Sequence, residues 1–189
     1  VKTIPSPKTI VTWPSNSTLK VGLVRGGGIQ LVNPQFKIIF DRKTVGISSF
    51  IYKNRELIVS SLQPNFWRVP TDNDEGGGKA SFAARWRAAG LDSLRRMGGD
   101  IRIEQVSPSS ARVLAQSTWV GKGGVSFVVK TTYTVFGSGD MEVKNTVTVN
   151  GNNAPPLPKI GMQMQLPASF RNLSWYGRGP FESYWDRKS

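Results

Sequence analysis

The chain has 189 residues and a formal net charge of +13, and its 38% hydrophobic and 10% aromatic content is typical of one globular domain with a real core. It contains no cysteine, which excludes disulfides and thiol nucleophiles, and no histidine, which excludes a Ser-His relay and imidazole metal ligands. The basic residues form only short clusters, so we expect no nucleic-acid partner. No apolar run reaches the about 18 residues of a membrane span, so no membrane partner is expected.

The first third of the chain predicts β-hairpins. β-Branched and aromatic residues at 36–40 and 46–52 indicate two strands, and the polar residues between them indicate a turn. A second turn at 53–55 leads to a third predicted strand at 57–59. This pattern is typical of an antiparallel sheet.

The second half predicts longer strands. Alternating β-branched residues at 100–106, 111–120, 125–136 and 141–149 indicate four strands, and 159–166 predicts a fifth. The alternation at 126–135 and 142–147 gives each of these two strands one apolar and one polar face. An Ala-rich segment at 79–89 predicts one helix, which places Phe82, Trp86 and Ala89 on a common stripe and ends at Gly90. The predicted fold class is therefore all-β, an antiparallel β-sandwich with one short helix.

An acidic stretch precedes this helix, and three interpretations of it stay open at this point. Asp72 and Asp74 would lie about 6.6 Å apart in an extended chain, within the range of a glycosidase carboxyl pair, but on one face they would not flank a sugar ring. A calcium loop would need a distal acid, and the next carboxylate after Glu75 is Asp92. Hydrogen bonding of Asp72, Asn73 and Asp74 to local backbone amides is the interpretation that composition favours.

Two blocks of sequence resemble the small-chain, last domain of the β-galactosidases of glycoside hydrolase family 2. The first block is FWRVPTDNDEG at 66–76 followed by ARWRAAG at 84–90. The second is KIGMQMQL at 159–166 followed by WYGRGPFESYWDR at 175–187, which matches the family pattern G-x-G-P-x-E-x-Y-x-D-R. The blocks occur in the family's order, and the similarity extends over about residues 30–189.

The resemblance implies a galactose-mutarotase-like supersandwich with no catalytic residue of its own. In the family, the catalytic glutamates and the magnesium ligands lie on a separate β/α-barrel, so neither a metal site nor a cofactor is expected in this chain. Asp72, Asn73, Asp74 and Gly76 match a motif that forms one wall of the sugar pocket and begins a mobile loop; the conformational freedom of glycine suits such a hinge. The implied partners are the catalytic barrel, a galactoside sugar and further subunits of an oligomer.

The chain also departs from the family pattern. The span between Gly76 and Trp86 is shorter than in typical members, so the mobile loop is expected to be reduced. We expect residues 1–28 to be a linker or edge segment and residues 29–189 to be the small-chain domain, with its C-terminal strands and a sugar-contacting tryptophan missing. The unpaired edges of such a sandwich are expected to drive association.

Four further side chains are candidates for either sugar contacts or structural roles. Trp67 can stack on a sugar ring or belong to the core, and the core is favoured. Arg68 can bind a carboxylate ligand or pair with the nearby Asp72. Arg178 and Glu182 lie in the second block, where a tight turn and a structural polar cluster are the alternatives to ligand contact. A lectin-like carbohydrate-binding module remains the alternative to a hydrolase domain, and a purely structural interaction domain is a third possibility.

Overall fold

The fold is described from a computed structural model, which describes residues 17–151 and 154–172. Within these ranges the chain forms eleven antiparallel β-strands and two short α-helices, which confirms the predicted fold class. In chain order the elements are β1 (Lys20–Val24), β2 (Gly28–Val32), β3 (Phe36–Asp41), β4 (Gly46–Tyr52), β5 (Arg55–Glu56), β6 (Ser60–Asn65), α1 (Asp72–Glu75), α2 (Phe82–Ala88), β7 (Arg95–Ser107), β8 (Ser110–Val120), β9 (Ser126–Phe136), β10 (Met141–Asn150) and β11 (Gly161–Gln165).

The first sheet is an antiparallel meander of β1 to β5 in sequence order. Its last hairpin turns at Lys53 and Asn54, which both have positive φ (46° and 62°). Two central residues with positive φ are characteristic of the turns whose twist matches that of flanking strands. The predicted strands at 36–40 and 46–52 are confirmed as β3 and β4.

The third predicted strand, at 57–59, is wrong. The strand that follows the turn is the two-residue β5, and the next strand begins at Ser60. The carboxylate of Glu56 accepts the backbone N–H groups of Phe50, Leu57 and Ile58 at 2.8 to 3.3 Å, so the chain bends around this side chain. The N–H of Leu57 also donates to the carbonyl of Phe50 at 2.8 Å, so backbone pairing with β4 reaches this residue and ends where the N–H of Ile58 turns to Glu56.

The second sheet has the strand order β10-β9-β8-β7 and contains the four long strands predicted from alternation. Burial alternates along β9, where Phe127, Val129, Tyr133 and Val135 are buried between half-exposed neighbours. This alternation defines an inner face, which packs against other elements, and an outer face, which contacts solvent. The predicted pattern of one wet and one dry face is therefore confirmed for β9.

The inner face of the second sheet is covered in two parts. The first sheet covers the end that contains Tyr133 and Val135, and the ring of Tyr133 meets that of Phe40 edge to face at 5.1 Å. The helix α2 and the segment after β6 cover the end that contains Phe127 and Val129. Two hydrophobic cores therefore lie side by side under one sheet, as expected for a sandwich.

The helical region differs from the single predicted helix at 79–89. A 3-10 turn occupies Gly78–Ala80, and α2 begins after Ser81, whose hydroxyl accepts the N–H of Ala84 at 3.1 Å. The predicted stop at Gly90 is confirmed, because this glycine has φ of +69°. None of the described helices is long and apolar enough to cross a membrane.

The predicted stripe of α2 is confirmed for Trp86 and Ala89 but not for Phe82. Ala83, Trp86 and Ala89 face the second core, whereas Phe82 is 44% exposed, with its ring 6.1 Å from that of Trp86. The stripe 83-86-89-90 fits close packing on the sheet because Ala83 and Gly90 are small. The sequence pattern favoured Phe82 over Ala83 because a larger apolar side chain weighs more than alanine in such a pattern.

The last described strand, β11, confirms the predicted strand at 159–166 with shorter bounds. It pairs with β6 in a separate two-stranded sheet, with Gly161 opposite Asn65 and a bulge between Gln163 and Gln165. This pairing brings the start of the first resemblance block next to 161–165, in the first part of the second block. The part of the second block at 175–187 lies outside the described residues.

The prediction of one dry face is wrong for β10. Its residues are exposed or half-exposed along the whole strand, including apolar residues on the inner side. β10 is the edge of its sheet; Met141 packs against the first core and Val147 against the second, but both stay half-exposed. Alternation in sequence therefore indicated the correct side of the strand, but could not indicate how far that side is covered.

Candidate functional site

The first resemblance block lies between β6 and α2, and aromatic residues attach it to the second core. Phe66 is buried and stacks on Phe127 with 4.5 Å between ring centroids. Trp67 meets the buried Trp86 edge to face at 6.4 Å, and its backbone N–H donates to the side chain of Asn65 at 2.9 Å. Because its ring is half-buried in this cluster, Trp67 has a structural contact, as the core alternative expected.

Arg68 forms a two-pronged ion pair with Asp74. Its two terminal nitrogens donate to the two carboxylate oxygens at 2.5 and 3.0 Å. The guanidinium carbon also lies 5.1 Å from the ring centre of Trp86, within the range of a cation–π contact. The side chains of Arg68 and Asp74 are 28% and 11% exposed, so the pair is shielded from most solvent. The predicted alternative of an ion pair is therefore present, but its acid is Asp74 rather than Asp72.

Asp74 also fixes the start of α1. Its carboxylate accepts the backbone N–H of Thr71 at 2.8 Å and the hydroxyl of Thr71 at 2.9 Å. Thr71 is the residue that precedes the first turn, and an acid three residues later that binds its N–H is one half of a capping box. Two donors from Arg68 and two from Thr71 leave this carboxylate fully hydrogen-bonded.

The hydrogen bonds from Arg68 lower the pKa of Asp74 to about 2, against an opposing effect of desolvation. At neutral pH the group is therefore ionised and cannot serve as a general acid. The extended spacing of Asp72 and Asp74 is not realised either, because both lie in α1, where residues two apart point about 200° apart. The geometry therefore excludes the glycosidase carboxyl pair.

Asp72 and Asn73 lie on the exposed side of the same turn. Both residues are exposed, while Asp74 is 8% exposed. Within the described part of the chain no hydrogen bond engages the side chains of Asp72 or Asn73. Of the three residues expected to bind local amides, only Asp74 does so, and the other two present a carboxylate and an amide to solvent from a turn held in place by Asp74.

The glycine segment that follows α1 has two different kinds of residue. Gly76 has φ of −61°, which any residue can adopt, whereas Gly77 and Gly78 have φ of +95° and +60°. Arg87 of α2 binds Glu75 with two hydrogen bonds of 2.6 and 3.1 Å, and these hydrogen bonds lower the pKa of Glu75. This exposed ion pair connects the two ends of the segment across the glycines.

Three residues of this site escaped the sequence analysis, namely Thr71, Glu75 and Arg87. The spacing T-x-x-D at Thr71 and Asp74 is a known signature of a helix start and could have identified Asp74 as the structural acid. No comparable short signal connects Glu75 with Arg87, because the pair depends on the path of the intervening turn. Arg178 and Glu182, the two candidates from the second block, lie outside the described residues.

The described residues do not fit a metal site. No three acidic, cysteine or histidine side chains cluster in residues 17–151 and 154–172, and the one buried carboxylate is already bound to an arginine. Magnesium, expected on another domain, has no ligand set in this part of the chain.

A second feature is an apolar groove on the other side of the two-stranded sheet. It has a volume of about 330 Å³ and only apolar lining, without the polar groups that a sugar requires. Its walls come from both main sheets and from β11. The lining residues are Ile47, Phe50, Leu57, Ile58, Leu62, Met141, Val143, Met164, Leu166 and Phe170.

Comparison with known proteins assigns this arrangement to a family. Residues 32–189 match the model of the beta galactosidase small chain. The chain is 33% identical to a beta-galactosidase of Priestia megaterium over 162 residues, which cover 85% of this chain and 15% of that protein. It is 32% identical to a beta-galactosidase of Vibrio cholerae and 33% identical to one of Clostridium acetobutylicum, over 84% and 91% of its length. The chain therefore spans only about a sixth of the length of these relatives.

Proposed function

Because the chain belongs to the beta galactosidase small-chain family, we propose that it serves as a non-catalytic domain of a β-galactosidase-type glycoside hydrolase. In this proposal the catalytic carboxylates and magnesium reside on a barrel elsewhere in the enzyme. The segment from Asp72 to Gly78 forms one wall of the sugar pocket, and other surfaces of the domain contact neighbouring subunits of an oligomer.

The division of roles within α1 carries the proposal. Asp74 is bound by four donors from Arg68 and Thr71, which fixes the turn relative to the second core. Asp72 and Asn73 are left exposed on that fixed turn. A carboxylate can accept hydrogen bonds from sugar hydroxyls, and an amide can both donate and accept them. A pre-positioned pair of this kind suits the wall of a sugar pocket.

The glycines at 76–78 would allow the proposed pocket wall, the segment from Asp72 to Gly78, to move at its C-terminal end. Gly77 and Gly78 already use backbone angles that favour glycine, and Gly76 retains the option of such angles because no Cβ restricts it. The exposed pair of Glu75 and Arg87 crosses this segment and is weak enough to open. We propose that closure and opening of this segment accompany substrate entry.

Reconstitution tests the proposal. The 189-residue chain is mixed with Priestia megaterium β-galactosidase from which the aligned region has been deleted, and hydrolysis of a nitrophenyl β-galactoside is measured. Neither polypeptide alone should hydrolyse the substrate, and the mixture should. In the active mixture, Asp72→Ala should raise KM about tenfold, since one hydrogen bond to a charged group contributes about 1.5 kcal/mol.

The control is Asp92→Ala, which removes an exposed acid outside the segment and should leave KM unchanged. Hydrolysis by this chain alone would refute the non-catalytic role. If the mixture is active and its KM does not change with Asp72→Ala, the proposed role of Asp72 in the wall of the sugar pocket is refuted. Retention of the chain alone on a galactose resin, without restored hydrolysis, would favour the carbohydrate-binding alternative.

A further inference from the structure

A groove on the outer face of the second sheet lies apart from the candidate site. Only β7 and β8 line it, and its volume of about 600 Å³ is within the range of sites that bind small molecules. The candidate site packs on the inner face of the same sheet, through Phe66 and α2. We call this space the outer groove, and its lining residues are Met97, Gly98, Gly99, Asp100, Arg102, Leu114, Gln116 and Thr118.

The register of β7 and β8 fixes the face on which the outer groove lies. Three cross-strand pairs follow one another along it, namely Gly98 with Thr118, Asp100 with Gln116 and Arg102 with Leu114. They alternate along the strands with Ile101 and Ala115, which are buried in the first core. Because successive side chains of a strand point to opposite faces, the three pairs point away from that core.

A glycine leaves the outer groove open at one end. A bulge separates Arg96 from Gly98, and Met97 within this bulge is 70% exposed. A Cβ added at Gly98 would meet no described atom within 4 Å. Glycine weakens a strand interior and often marks a place where a ligand approaches closely. The space in front of Gly98 is therefore available to a ligand.

The outer groove combines an apolar floor with polar walls. Leu114, which is only 8% exposed, supplies the floor. Around it lie the carboxylate of Asp100, the guanidinium of Arg102, the amide of Gln116 and the hydroxyl of Thr118. Together they offer both hydrogen-bond donors and acceptors. This mixture suits a saccharide, because each sugar hydroxyl can donate and accept.

The fold also concentrates positive charge on this face, although the sequence shows only short basic clusters. The acids near the groove are already paired, since Asp100 binds Arg42, and Glu104 lies 3.7 Å from Arg102. A face with a surplus of basic groups attracts anionic ligands. The basic residues that the strand registers place on it are all exposed, namely Arg95, Arg102, Arg112, Lys130 and Lys144.

We propose that the outer groove binds an acidic saccharide, whose sugar rings carry carboxylate or sulfate groups. The apolar side of one ring lies on Leu114, and its hydroxyls bond to Gln116 and Thr118. The anionic group binds Arg102, whose guanidinium can form two parallel hydrogen bonds with a carboxylate. This site goes beyond the proposed function, because the sheet separates it from the turn that would contact the galactoside.

A nucleic acid or a protein surface fits the outer groove less well. The groove lining contains no aromatic side chain on which a base could stack. Phosphate oxygens only accept hydrogen bonds, so the carboxylate of Asp100 offers them no donor. The well-packed centre of a protein interface is usually apolar and rich in aromatic residues, which this lining lacks.

The experiment titrates the complete 189-residue chain, labelled with nitrogen-15, with trigalacturonate, an acidic trisaccharide. Amide signals of Gly98, Gln116 and Thr118 should shift on binding, whereas those of Asp72 and Asn73 should not. The neutral trisaccharide β-1,4-galactotriose is the matched ligand. It should bind at least tenfold more weakly, because it lacks the charge-assisted hydrogen bonds to Arg102.

Two variants test the groove itself. Arg102→Gln should weaken trigalacturonate binding about tenfold, since it removes the cation that binds the carboxylate. Its control is Arg25→Gln, which removes one exposed positive charge from the hairpin of β1 and β2 and should leave the affinity unchanged.

Gly98→Leu should weaken binding at least tenfold, because its side chain fills the open end of the groove. Its control is Gly22→Leu in β1, where an added Cβ also meets no described atom within 4 Å. Circular dichroism verifies that all four variants fold.

Three results would overturn the inference. The first is the absence of trigalacturonate binding, or equal affinity for the neutral trisaccharide. The second is equal weakening by Arg102→Gln and Arg25→Gln, which would indicate attraction by net charge rather than by the groove. The third is tighter binding of an oligothymidylate with the same number of charges, which would assign this basic face to nucleic acid. The reconstituted hydrolysis proposed above does not depend on any of them.

Discussion

The ion pair of Arg68 and Asp74 predicts that Asp74→Asn destabilises the fold. The substitution keeps the shape of the side chain but removes its charge. An asparagine has only one acceptor oxygen, so it cannot receive both guanidinium donors of Arg68 and the two donors of Thr71. The guanidinium, which is 28% exposed and packed against Trp86, would lose its counter-ion.

The magnitude follows from the pKa of Asp74. Folding lowers this pKa from 3.8 to about 2, and each unit corresponds to about 1.36 kcal/mol, so the charged form contributes about 2 kcal/mol to the free energy of unfolding. Because the folded pKa is the lower one, the contribution is complete above pH 3.8 and is lost as the pH falls through about 2. The free energy of unfolding of the Asp74→Asn variant should lack this dependence on pH.

Urea unfolding followed by tryptophan fluorescence measures the effect. At pH 7 the midpoint of Asp74→Asn should fall by about 1 M urea, for a slope of about 2 kcal/mol/M. At pH 2.5 the difference from the unaltered chain should shrink. Asp72→Asn is the matched control, since it removes an exposed acid from the same turn and should shift the midpoint little. Equal midpoints of Asp74→Asn and the unaltered chain at pH 7 would refute the structural role of the pair.

Two further predictions concern the glycines and the second core. Gly77→Ala should lower the free energy of unfolding by about 1 kcal/mol because φ is +95°, whereas Gly76→Ala should be neutral since φ is −61° and the nearest atom to an added Cβ is 3.8 Å away. Trp86→Ala should cost about 3 to 5 kcal/mol, because it empties a buried site and removes a hydrogen bond to a backbone carbonyl. The control Phe82→Ala should cost far less, because Phe82 is half exposed, and urea unfolding distinguishes all four variants.

Much of the fold could be predicted from sequence because its strands are long and regular. The alternation in 125–136 identified both β9 and its inner face, and the small residue at Gly90 identified the end of α2. The prediction of a strand at 57–59 is wrong because Glu56 accepts the N–H of Ile58 and the chain bends after Leu57, which still donates to the carbonyl of Phe50. These hydrogen bonds depend on β4, the paired strand that contains Phe50, so they cannot be predicted from the short apolar run alone.

The resemblance selected the stretch from Asp72 to Gly76 as the candidate site, and its role in a sugar pocket stays a prediction. The spacing of the two acids along the chain did not reveal which one is buried. That choice depends on Arg68, whose approach is set by the stacking of Phe66 on Phe127, a residue 61 positions away in the second sheet. Contacts between distant segments therefore decide whether an acid in this motif supports the fold or faces solvent.

This arrangement places one buried, fully bound acid and two exposed polar side chains within three consecutive residues. In the one-turn helix α1, the side chain of Asp74 points to the core and is fully bound, whereas those of Asp72 and Asn73 point away and remain available. A one-residue insertion before Asp74 would change the angle between the acid and the exposed pair by about 100°, so the acid could not stay on Arg68 while the pair keeps its direction. In the proposed pocket wall the exposed residues can therefore change without loss of stability, but their number cannot.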